Sequence, residues 1–100
     1  MLSVPKETSH LAQTSPSSAI GALISQAQEA MLSNNVVHAE ALLKRACKQA
    51  EKHFGDESAA VASLLWHLSI VYEQAGDSQR ADDIVWQIQK ILMKRAAQHH

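Results

Sequence analysis

Apolar residues recur at helical spacing through most of the chain. Ile20, Leu23, Ala27, Ala30 and Met31 form one i, i+3, i+4 stripe, and Ala39, Leu42, Leu43, Ala46 and Ala50 form a second. A stripe of that period marks a helix with one face turned to a core. A third run, through Val61, Leu64, Leu65, Leu68, Ile70, Val71 and Tyr72, is almost continuously apolar and predicts the most buried helix. The fourth carries Ala81, Ile84, Val85 and Ile88.

The residues between the stripes place the helix ends. Ser15 before Pro16 suits an N-cap and a first helical position, where proline lacks only a donor that would have no partner anyway. Asn34 and Asn35 suit a tight reversal, since asparagine tolerates the left-handed conformation and caps a following helix. Gly55 with Asp56, and Gly76 with Asp77, pair a residue that ends a helix freely with one whose carboxylate accepts from the next helix's first amides. Helices are therefore predicted over 16–33, 36–54, 57–75 and 78–97. Residues 1–15 carry polar and breaker residues with no helical period and are expected to be a flexible arm, and residues 98–100 a tail.

The second half of this pattern echoes the first. Ala39, Leu42, Leu43 and Ala46 recur as Ala81, Ile84, Val85 and Ile88, an offset of 42 residues (39 to 81). The same shift carries Leu23 to Leu65, Ala27 to Ser69, Ala30 to Tyr72 and Asn34 to Gly76. Small, large and turn-forming positions recur in order, as they do in a repeat protein. Ala39 and Ala81 stand where the two helices of a hairpin cross closely, because a methyl group lets the backbones approach. An ordinary four-helix bundle uses the same stripes.

The run Leu65, Leu68, Ser69, Tyr72, Gly76, Ala81, Val85, Ile88 resembles the tetratricopeptide signature. The earlier unit, Leu23, Gln26, Ala27, Ala30, Asn34, Ala39, Leu43, Ala46, is similar to a degraded copy, with Gln26 and Ala30 in place of large residues. The family's common unit has about 34 residues, and the longer period here resembles the extended variant of kinesin light chains. Arg45, Ala46, Glu51, Lys52 and Gly55, followed by Val61, Ala62 and Leu65, carry that likeness. The resemblance implies an all-α fold over 16–97: two helix-turn-helix repeats forming a short right-handed α-solenoid of four antiparallel helices.

It also implies where function lies. In this family the first helix of each unit lines a concave face, which on this chain would comprise Gly21, Ile24 and Gln28, with Ser63, Trp66, Ile70 and Glu73. Trp66 beside Ile70 offers a large apolar surface and one N–H donor, the chemistry of an interaction hot spot; the competing reading is that Trp66 is core. Some members grip a terminal carboxylate with basic residues on these helices. Neither 16–33 nor 57–75 contains lysine or arginine, so such a clamp is not supported.

The end of the stack suggests a second surface. Comparing units, Trp86 stands where Lys44 does, Ile91 where Gln49 does and Met93 where Glu51 does. Polar positions become apolar, as a contact surface requires. Two units are also fewer than the three usually needed, and a terminal repeat normally carries a polar cap. Self-association as a homodimer through Trp86, Ile91 and Met93 is expected on that ground; internal packing of those residues is the alternative.

Composition narrows the remaining choices. The chain has 100 residues, 46% of them apolar, which sets the prior at one small domain. Its 9 basic and 10 acidic residues are interspersed and leave a formal charge of −1, so no electrostatic footprint for nucleic acid appears. No apolar run reaches the ~18 to 20 residues of a membrane span or has the form of a secretory signal. The single cysteine, Cys47, lies in an apolar stretch and excludes an internal disulfide, which points to a reduced, cytoplasmic setting.

Catalytic and metal chemistry find little support. Of the six histidines, His38, His53 and His67 have no histidine at i+4, and His99 and His100 suggest a tail or tag. Asp56 with Glu57, and Asp82 with Asp83, sit at helix starts, where capping and the helix dipole account for them. No phosphate loop, nucleophile elbow or zinc motif is present. The expectation is a protein–protein interaction module, an adaptor or scaffold that binds a peptide or helix on its concave face with no catalytic residue, metal or cofactor. The alternative is a structural subunit that self-associates through its last helix.

Overall fold

The computed structural model describes residues 15–98. The expected flexible arm, apart from Ser15, and the last two histidines of the tail lie outside the described residues. Four helices follow in order: α1, Pro16–Leu32; α2, Val36–Phe54; α3, Ala59–Gln74; and α4, Ser78–Ala97. The fold is all-α, with successive helices packed against one another.

Local chemistry sets most of the helix ends as expected. The Ser15 hydroxyl accepts from the Ser18 amide, and Pro16 opens α1. Asn34 takes the left-handed conformation at φ 60°, and the Asn35 side chain accepts from the His38 amide to start α2. Gly76, at φ 81°, and Asp77, which accepts from the Arg80 amide, repeat that device before α4. The start of α3 differs from the expectation. Ser58 rather than Asp56 is the cap, accepting from the Val61 amide at 3.1 Å, and Asp56 and Glu57 lie in the turn before it. Both residues can fill the role, and Ser58 is the one whose backbone is extended as an N-cap requires.

Side-chain contacts show that neighbouring helices run in opposite directions. Tyr72, near the end of α3, donates its hydroxyl hydrogen bond to Glu40 near the start of α2, at 2.6 Å. Lys94, near the end of α4, meets Glu57 just before α3, at 2.7 Å. Short connections between packed helices give this antiparallel arrangement.

The core is one cluster drawn from all four helices. Small residues are among its most buried members: Ala39, Ala46 and Ala50 of α2 and Ala81 of α4 are all fully buried. Leu43, Leu64 and Val71 are its largest fully buried side chains. Half of α3 is buried, including Val61, Leu65, Leu68 and Tyr72, as its continuous apolar run predicts. Ile84, Ile88 and Ile91 bring α4 onto this cluster.

Candidate binding groove

A groove of about 510 Å³ runs between α1 and α3. Ile24, Gln28, Met31 and Leu32 form one wall, and His67, Ile70 and Gln74 the other, with Leu43 of α2 at the floor. The walls follow from helix geometry. On α1, Ile24, Gln28 and Leu32 succeed one another at i+4, beside the stripe that enters the core. On α3, Ile70 and Gln74 do the same.

Of the residues expected on the concave face, the structure brings Ile24, Gln28 and Ile70 together in this groove. Ser63, Trp66 and Glu73 lie on the exposed part of α3 and Gly21 on that of α1, and none of the four lines the groove. Trp66 is 55% exposed, which removes the reading of it as a core residue. The Ser69 hydroxyl donates to the Trp66 carbonyl at 2.6 Å, so the backbone that carries the indole is tied down while its ring stays open to contact.

The lining is apolar with a few polar points. His67 Nδ1 lies 2.9 Å from the Ser63 carbonyl, an acceptor only, so this nitrogen is the donor and Nε2 is left to face a ligand. Gln28 and Gln74 add an amide on each wall. The only acidic residues on α1 and α3 are Glu29 and Glu73, and neither helix has a lysine or arginine. Such a surface suits apolar side chains and backbone groups of a polypeptide rather than a charged small molecule.

The part of the groove that sequence reasoning missed is Met31, Leu32 and Gln74. Leu32, 88% exposed, lies off the core stripe of α1, and an apolar residue at i+4 from Gln28 and i+8 from Ile24 is the signal that could have revealed it.

Near the end of α3, a polar network joins α2, α3 and α4. Glu40 of α2 receives the Tyr72 hydroxyl and lies 3.2 Å from Lys44 and 3.6 Å from Arg80 of α4. Arg80 also lies over the Tyr72 ring, 5.6 Å from its centre, and pairs with Asp77 at 3.4 Å. The Tyr72 hydrogen bond, followed by the neighbouring cations, holds the Glu40 carboxyl below its ordinary pKa. Burial and then Glu40 push the Tyr72 hydroxyl above its own. The network ties three helix ends together, and none of its side chains lines the groove.

The second expected surface needs a correction. Trp86 and Met93 on α4 are 60% and 67% exposed, but Ile91 is 8% exposed and belongs to the core cluster. The reason is its register: Ile84, Ile88 and Ile91 succeed one another at i+4 and i+3, so Ile91 extends the inward stripe. Leu92, 52% exposed, takes the place on the outer side that was expected for Ile91. Cys47 is buried, and burial raises its thiol pKa to about 11, which leaves it an inert filler of α2.

Among the described residues no three histidine, cysteine, aspartate or glutamate side chains come together, and no helix is long and apolar enough to cross a membrane. Compared with protein-family models, curated proteins and solved structures, the chain matches none.

Proposed function

We infer that this chain is a protein-interaction module of the tetratricopeptide kind, an adaptor or scaffold that takes a peptide or short helix of a partner protein into the groove between α1 and α3. The observation that carries the reading is the open apolar groove itself, with Ile24, Leu32 and Ile70 on facing walls and Trp66 exposed beside it. Apolar residues at i+4 on both walls accept side chains of an extended or helical segment, while Gln28, Gln74 and His67 offer hydrogen bonds to its polar groups. The family reading rests on the recurring positions of the two units and on the full burial of Ala39 and Ala81.

The test is selection of binders from a random peptide library displayed on phage, followed by affinity measurements on wild-type protein and on Ile70→Asp and Ile24→Asp. Each substitution is expected to weaken a groove-bound peptide by at least about thirtyfold, the effect of losing a hot-spot contact of roughly 2 kcal/mol. Peptides that bind all three proteins equally would oppose the reading.

A second reading is supported by a different observation. Trp86, Leu92 and Met93 form an exposed apolar face on α4, which suits a structural subunit that assembles through its last helix.

A further inference from the structure

The outer face of α4 is patterned for a copy of itself. Val85 and Trp86, then Gln89, then Leu92 and Met93 follow the three-and-four spacing of a helix-pairing seam. Val85 is half-buried and the other four are exposed, so the seam is uncovered among the described residues. Turned end for end about Gln89, it meets its own complement. Trp86 falls opposite Met93 of the second copy and Val85 opposite Leu92, and symmetry makes each pair twice. Sulfur against an indole ring is a favourable contact.

Charge along the helix selects the same direction. Asp82 and Asp83 occupy the first half of α4, where Arg80 is already paired with Glu40 and Asp77, whereas Lys90, Lys94 and Arg95 occupy the second. An antiparallel copy brings carboxylates to the cationic end and opposes the helix dipoles favourably, while a parallel copy sets like charge against like. Lys94 already pairs with Glu57 and Arg95 donates to the Glu57 carbonyl, so the Asp83 of a second copy would join a fixed cationic end. Lys90 stands at the outer edge of the seam, where water covers it.

We propose that two copies of this chain associate through α4, antiparallel and centred on Gln89. The inference rests on the reading of α4 as an assembly face and adds the partner, direction and register. The two-fold arrangement is the commonest closed assembly. One helix per copy buries less than the ~1,000 Å² of a permanent interface, so the dimer dissociates on dilution.

Light scattering of the full chain over a concentration series tests the association, and cysteine cross-linking tests the direction. The mass is expected to rise from 10.9 kDa toward twice that value, and Trp86→Lys with Met93→Lys, which sets like charges opposite one another across the pairing, to hold it at the lower value with unchanged helical circular dichroism. Asp82→Cys and Ala96→Cys proteins, oxidised together with diamide, are expected to form a mixed disulfide, and neither to cross-link alone. Wild type, whose cysteine is buried, is the control. A chain that stays monomeric, or a double variant that dimerises like wild type, overturns both the assembly reading and the proposal. Dimers lost in the double variant whose single-cysteine proteins each cross-link alone, with no excess of the mixed product, leave the assembly reading standing and overturn the antiparallel pairing.

Discussion

At the scale of single residues, the fold depends on a few methyl groups. Ala39 and Ala81 are fully buried and occupy the same place in the two units, as expected of positions where a hairpin's helices cross. A larger side chain there has no empty space to enter, because the neighbouring Leu43 and the half-buried Val85 already flank the contacts. Ala81→Leu is therefore expected to lower stability by roughly 1–3 kcal/mol, read as a reduced denaturation midpoint. An unchanged midpoint would show that α3 and α4 do not cross there. These positions were legible in the sequence because a small residue between large ones has one physical use. Ile91 was not, since alignment of the two units sets it beside Gln49 and cannot show which way α4 is rotated over the core. Its burial follows from continuity with Ile84 and Ile88, a relation within one helix rather than between units.

Among elements, the connections are more informative than the helices. Three of the four caps were legible because Ser15 stands before a proline, and Asn35 and Asp77 each follow a residue that takes the left-handed turn. Before α3, Asp56 and Ser58 compete, and only the backbone decides. The polar network at Tyr72 was not legible at all, since Glu40 and Tyr72 are separated by a helix and a turn. It makes stability depend on pH in a defined sense. Glu40's folded pKa lies below the ordinary value of 4.5, so its contribution is fully present above 4.5 and is lost as pH falls through the folded value. Tyr72→Phe removes the largest cause of that lowering. The variant is expected to lose about 1.5–2 kcal/mol at neutral pH, the low end of the range for a hydrogen bond to a charged group, and to lose less than wild type on acidification. Urea unfolding at neutral pH and at pH values below 4.5 checks this; parallel pH profiles for the two proteins would show that Glu40 and Tyr72 are not coupled.

At the scale of the molecule, two hairpins bury a single core yet leave two apolar surfaces open. One is concave, between α1 and α3, and the other runs along the outside of α4. The sequence indicated both surfaces through apolar residues outside the core stripes, chiefly Ile24 and Ile70 for the groove and Trp86 with Met93 for α4. It could not give their limits, because Leu32 and Leu92 are single apolar residues whose exposure depends on how the helices rotate against one another. The groove is the surface with walls, depth and polar points, and so carries the functional reading.

The most direct test is a methyl NMR titration of isoleucine-labelled protein with a library-selected peptide. Saturable shifts of the Ile24 and Ile70 methyl signals, with those of the buried Ile20 and Ile91 nearly still, are the predicted result. Binding that leaves Ile24 and Ile70 unmoved would contradict it.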